Sequence, residues 1–245
     1  MVQLFLTIFM IVTYALAAAI LTYVSICSIE DSKDQQQFET IAKSIEEQNK
    51  DGDTDTTNKV YDLMLKNKDC VGWLKVVDMD INYPVMLTKQ NPEFYLRRDF
   101  NKEYSYMGTP FMDANCNMGI SKNLIIYGHN MKNGRMFAPL MKFKNKECFD
   151  KHQIIEFITP NEKAIYHIVC VAKVKADDSW YSFIEDSGES HYNEKIKELY
   201  SKSLYHSDYE FGYDDEFLTL STCEYSQNDG RLIVVAVKEG ANSNV

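Results

Sequence analysis

The first charged side chain in this chain is Glu30, and the run before it, "VQLFLTIFMIVTYALAAAILTYVSICSI", holds no ionisable residue except two tyrosines and a cysteine. About 20 apolar residues cross a bilayer as a helix, so a run of this length must be solvated by lipid or removed. A cleaved signal peptide competes, because "ALAAA" offers small residues. Its apolar core normally spans only about 7–15 residues behind a basic segment, and that segment is missing here. The run is therefore expected to be an uncleaved anchor over residues 1–28. No Lys or Arg precedes it to be counted for orientation. With an acidic flank, "EDSKD", the following domain is expected outside the cell.

The remaining chain has the apolar and aromatic content of a well-filled globular core, with 45% hydrophobic and 13% aromatic residues. A formal net charge of −10 and the lack of a basic stripe argue against nucleic acid as a partner. The six cysteines form no C-x-x-C pair, which speaks against structural zinc. Only five lie beyond the anchor, so any pairing leaves a thiol over. Cys170, in "HIVCVAKV", reads as a buried strand residue.

Residues 29–70 read as a helical hairpin. "FETIAKSIEE" sets Phe38, Ile41, Ala42 and Ile45 at helical spacing. "NKDGDTDTTN" breaks the pattern, and Thr56 or Thr57 can cap a second helix through "KVYDLMLKNKD". A solvated stalk is the alternative. From residue 71 to 245 the chain alternates short strand-like runs with Gly, Pro, Asn and Asp breaks, including "VGWLKVVDMDINYPVML", "NLIIYGH", "AIYHIVCVAKV", "EFLTLSTC" and "RLIVVAVKE". This pattern predicts a closed or nearly closed β-barrel with peripheral helices. One late helix is expected in "HYNEKIKELYSKSLYHS", with Tyr192, Ile196, Leu199, Tyr200 and Leu204 on one face.

Chemistry concentrates in "FLTLSTCEYSQNDGRLIVVAVKE". Strand alternation puts Leu218, Leu220 and Thr222 on one face. Thr219, Ser221 and Cys223 share the other, which is polar and expected to be wettable. If the two strands pair antiparallel across the loop 224–230, Cys223 comes nearly opposite Arg231. A nearby cation favours the reactive thiolate, and a guanidinium fork suits the oxyanion of a tetrahedral acyl intermediate. A surface arginine beside a strand-end cysteine has the same spacing, which does not separate the two readings. Acyl transfer also needs a proton donor for the leaving amine. His129, in "NLIIYGHNMKNGR", follows an apolar strand and opens a polar loop, where function tends to sit. His167 lies within a strand pattern; His152, His191 and His206 have polar or helical surroundings.

The order His, Cys, Arg differs from the papain-like order, and the 94-residue gap from His129 to Cys223 exceeds the caspase spacing of about 50. With "YGHN", "TLSTC" and "RLIVVAVK" in this order, the sequence resembles the sortases, the cysteine transpeptidases of Gram-positive cell surfaces, over most of residues 71–239. "VGWLKV", "YPVML", "FMDANC" and "GRMFAPLMKF" resemble class B segments, although the missing basic flank of the anchor departs from the pattern. The resemblance implies a sortase barrel, no cofactor or metal, and His129, Cys223 and Arg231 as catalytic residues. It implies a surface protein's sorting signal as acyl donor, a peptidoglycan stem or cross-bridge amine as acceptor, and a single-pass enzyme outside the membrane. Ser221, Glu224, Tyr181 and Leu96 are candidates for binding the donor peptide. A wall-associated thiol protease with water as acceptor and a non-enzymatic anchored adhesion or scaffold domain are the competing readings.

Overall fold

The computed structural model describes residues 2–46, 56–185 and 187–240. Helix α1 (Val2–Glu46) is continuous over 45 residues. The helix expected at "FETIAKSIEE" is thus the last stretch of the long N-terminal helix and not a separate element. The physical reason is plain: no Gly or Pro occurs between residues 2 and 46 to end it. Its Val2–Ile26 segment is long and apolar enough to cross a membrane. Beyond it, the expected stripe does the docking. Phe38, Ala42 and Ile45 are buried, and Phe38 meets Tyr83 edge-on at 5.5 Å between ring centres. The α1 terminus is held by Lys75 and Asn82, both bonded to Glu46, and by Lys59 Nζ, which donates to Ile45 O at 3.2 Å. Helix α2 (Thr56–Lys66) returns alongside and buries Val60 and Leu63. The polar break "NKDGDTDTTN" lies largely outside the described residues.

Nine strands follow: β1 (Cys70–Val76), β2 (Ile81–Met86), β3 (Phe111–Met112), β4 (Asn123–Tyr127), β5 (Ile154–Ile158), β6 (Lys163–Lys175), β7 (Ser203–His206), β8 (Phe217–Cys223) and β9 (Gly230–Lys238). Among the described residues two further α-helices intervene, α3 (Lys146–Lys151) and α4 (Glu189–Ser201), together with three short 3-10 helices. The sheet order β5-β1-β2-β3-β4-β8-β9-β6 closes on itself through β5–β6, giving the expected closed barrel, of eight strands. The length of β6 explains how β7 attaches. One edge of β6 pairs with β9; along the other, residues 163–167 pair with β5 and residues 170–172 with β7. Leu204 therefore lies in β7 and not on the late helix, which ends at Ser201.

Strands β8 and β9 are buried on both faces. Leu218, Leu220, Leu232 and Val234 fill the barrel interior. Phe217, Ile233, Val235 and Val237 pack outward against Trp180, Phe183, Tyr192 and Leu199. This outer layer overturns one expectation. The Thr219–Ser221 face is not wettable, since Thr219 is 0% and Ser221 1% exposed. The polar atoms there are satisfied inside the protein, as burial requires. Trp180 Nε1 donates to Thr219 Oγ1 at 3.0 Å, and Thr219 Oγ1 donates to Asn123 Oδ1 at 2.8 Å. Only the Cys223 end of the strand emerges.

Candidate active site

Cys223 ends β8 and Arg231 lies second in β9, and the antiparallel register sets their Cα atoms opposite each other. The loop between them is tightly closed. The Glu224 amide donates to Gly230 O at 2.9 Å, and a Cβ on Gly230 would sit 2.3 Å from Glu224 O, so only glycine fits this approach. Arg231 Nη1 donates to Gly230 O at 3.0 Å, which fixes one side of the guanidinium fork.

His129 reaches the same end of the barrel by another route. Strand β4 runs parallel to β8 with Tyr127 opposite Ser221, and the chain beyond β4 stays bound to β8. Gly128 N donates to Ser221 O at 3.1 Å, Thr222 Oγ1 to Gly128 O at 2.8 Å, and Asn130 Nδ2 to Cys223 O at 2.8 Å. The residues on both sides of His129 are thereby anchored to the strand that carries the thiol.

The ring is half-buried, and its Nε2 lies 2.9 Å from Leu96 O. A carbonyl only accepts, so Nε2 carries a proton and Nδ1 is the nitrogen left to exchange one. Burial, and then the nearby Arg97 charge, lower the His129 pKa below its ordinary 6.5 against the opposing Leu96 bond. The neutral ring is favoured in the resting protein.

The four candidate peptide-binding residues separate. Tyr181 OH and Ser221 Oγ are 2.7 Å apart, and Tyr181 stacks on Tyr127 at 6.0 Å between ring centres. Burial pushes the Tyr181 phenol up to about 12. Ser221 thus holds Tyr181 from beneath the surface. Leu96 enters the site through its carbonyl, on His129, while its side chain packs partly buried against the core. Glu224 does not fit the gripping role. Its side chain is 2% exposed and pairs with Lys144 at 2.9 Å and Lys173 at 3.7 Å. Its other oxygen accepts from Ser226 N at 3.0 Å and from Ser226 Oγ. Burial would raise this carboxyl, but the Ser226 and Lys144 bonds outweigh it and hold it at about 2. Glu224 is a buried brace for the loop.

Thr222, Asn130 and Arg97 are neighbours of His129 and Cys223 that the sequence did not single out. Asn130 stands beside the histidine in "YGHN", but its partner lies 93 residues away. The remaining thiols have a different character. Burial raises Cys70 and Cys170 to about 12 and Cys116 to about 11, and among the described residues none is in a disulfide. Nor do the described residues contain a group of three or more His, Cys, Asp or Glu side chains able to hold a metal ion.

A barrel with a strand-end thiol, an opposed arginine and a tethered histidine is the arrangement of a sortase-type transpeptidase. The sortase domain model matches residues 74–239, and the chain belongs to the sortase family. It is 33% identical over 182 residues to sortase B of Listeria monocytogenes, spanning 72% of each chain. It is 30% identical over 211 residues to sortase B of Staphylococcus aureus, spanning 85% of this chain and 86% of that one. The structure of Clostridium perfringens sortase B superposes with a TM-score of 0.69 at 34% identity, over 74% of this chain and 99% of the other. These relatives place it with the class B cysteine transpeptidases.

Proposed function

We propose that this chain cleaves a surface protein's sorting signal and joins the released carboxyl end to a peptidoglycan amine, with Cys223, Arg231 and His129 as the reacting groups. Neutral His129 first takes the Cys223 thiol proton at Nδ1, and the thiolate so formed attacks the carbonyl carbon before the scissile bond. Arg231 donates to the oxyanion, where a fixed fork is worth most because it needs no reorganisation. His129 gives a proton to the departing amine, the C–N bond breaks and a thioester remains. An acceptor amine then attacks the thioester, passes a proton to the now neutral His129 and releases the thiolate. Tyr181, held by Ser221, walls the donor side. The α1 anchor carries the barrel on the outer face of the membrane.

The observation that carries this reading is the β8–β9 register opposing Cys223 and Arg231, with the His129 loop bonded to the same strand. The test uses the full chain in detergent with a panel of sorting-signal peptides. A thioester adduct is expected by mass spectrometry, becoming a joined product when an amine is added. Cys223→Ala should form no adduct. Arg231→Lys keeps the charge without the fork and should lose about 10²–10³ in turnover while remaining folded. Hydrolysis unaffected by any amine would indicate a thiol protease instead. No adduct with any donor would leave an anchored binding domain.

A further inference from the structure

Beside His129 lies a cleft of about 340 Å³, lined among others by Arg97, Tyr106, Asn130, Lys132 and Tyr225. Cys223, Arg231, Ser221 and Tyr181 are not among its lining residues, so it is separate from the donor side. Its walls carry two cationic side chains and no carboxylate among the described residues, in a chain whose net charge is −10. Arg97 is fixed in place: its Nη1 donates to Tyr106 O at 2.6 Å, and its guanidinium lies 4.7 Å from the centre of the Tyr106 ring. Among the described residues, that is the one hydrogen bond of its guanidinium, and Lys132 is in no ion pair.

Attack of an amine on a thioester is the reverse of the expulsion of an amine from the tetrahedral intermediate. The incoming nitrogen must therefore occupy the place the leaving nitrogen vacated, where His129 can exchange its proton. The cleft on the histidine side is the path to that place. An approaching ammonium alone would be repelled by Arg97 and Lys132. A carboxylate on the same molecule would be attracted, and an arginine fork matches its geometry.

We propose that this cleft selects acceptors that carry a free carboxylate on the same molecule as the reacting amine, the carboxylate being held by Arg97 and Lys132. The two cations also favour the uncharged, nucleophilic form of the amine, because they disfavour its ammonium. In the transfer step the amine nitrogen bonds to the thioester carbon and the C–S bond breaks. Its electron pair returns to Cys223 Sγ, and the nitrogen's surplus proton passes to His129. This inference rests on the transpeptidase reading and adds the chemistry of the acceptor.

The experiment compares 6-aminohexanoate with 6-aminohexanamide, and the shorter ω-amino acids with their amides, as acceptors for the thioester formed by the full chain. The expected result is about tenfold higher kcat/KM for the carboxylates, as one charge-assisted bond allows. That ratio should fall to near one in Lys132→Gln and in Arg97→Gln. Because the ratio is taken within each variant, a loss of folded enzyme does not alter it. Equal use of acids and amides by the unaltered protein would overturn the proposal. So would a Lys132→Gln effect confined to thioester formation, which would give the cleft to the departing peptide. Failure to form any thioester would instead refute the transpeptidase reading.

Discussion

His129 illustrates how much of the site is set by single contacts. Its ring is held by one carbonyl and surrounded by protein and a cation, and both burial and Arg97 favour the neutral form. Removing the cation should raise the His129 pKa. NMR titration of the imidazole is expected to give a midpoint below 6.5 in the parent protein and a higher one in Arg97→Ala. The sign carries over to stability. A folded-state pKa below the unfolded value of about 6.5 contributes stability that is present above that pH and lost as pH falls. Glu224 obeys the same rule in a lower window. Its carboxyl is near 2 in the folded chain against an ordinary 4.5, so its contribution is complete above about pH 4.5 and fades as pH falls toward 2. Glu224→Gln should cost about 1.5–3 kcal/mol at neutral pH, since charge-assisted bonds are lost. Urea unfolding should also show a flatter pH dependence between 4.5 and 2. A variant as stable and as acid-sensitive as the parent would remove Glu224 from the loop's support.

At the scale of elements, the loop after β4 depends on a close approach. A Cβ on Gly128 would lie 2.5 Å from the ring of Phe137, which is fully buried. Gly128→Ala must therefore displace either the core ring or the loop that carries His129, and overpacking of this kind costs about 1–3 kcal/mol. Turnover should fall with stability, and Phe137→Leu in the same chain should restore part of both by making room; purely additive losses would show that the two do not touch. Most of the barrel was legible because its strands are short apolar runs with clear breaks. The Cys223–Arg231 pairing was legible because a short polar loop joins two strands adjacent in the chain. The burial of Thr219 and Ser221 was not. An alternating pattern reports polarity, but here the polar atoms meet Trp180, Asn123 and Tyr181, which come from segments distant in sequence. Strand β7 was hidden for a related reason. Leu204 continues the helical spacing of Ile196 and Tyr200, and only pairing with β6 pulls it into a strand. Glu224 read as a loop charge because its partners Lys144 and Lys173 lie 80 and 51 positions away in the chain.

For the whole molecule, the continuity of α1 fixes where the barrel stands. At 1.5 Å per residue, the span Val2–Ile26 is about 37 Å long, against a hydrocarbon core of about 30 Å. Asp34 lies about 12 Å further along the axis. It is close to Asp99, whose carboxyl is raised by burial and additionally by the Asp34 charge. Asp99 is three residues from Leu96, whose carbonyl holds His129. Glu46, at the other end of the docked stretch, binds Lys75 and Asn82. In the proposed anchored enzyme the barrel end bearing His129 would therefore face back along the helix toward the bilayer, and a rigid helix would hold it there. A donor tethered in the same bilayer gains from this placement through effective concentration, whereas a free peptide does not. Lys33→Pro tests the point, because proline removes a helical hydrogen bond and kinks the segment between the span and the docked stripe. In nanodiscs, turnover of a free sorting-signal peptide should stay within about twofold, while turnover of a bilayer-tethered donor should fall by about fivefold or more. Equal changes for both donors would mean that α1 tethers the barrel without aiming it.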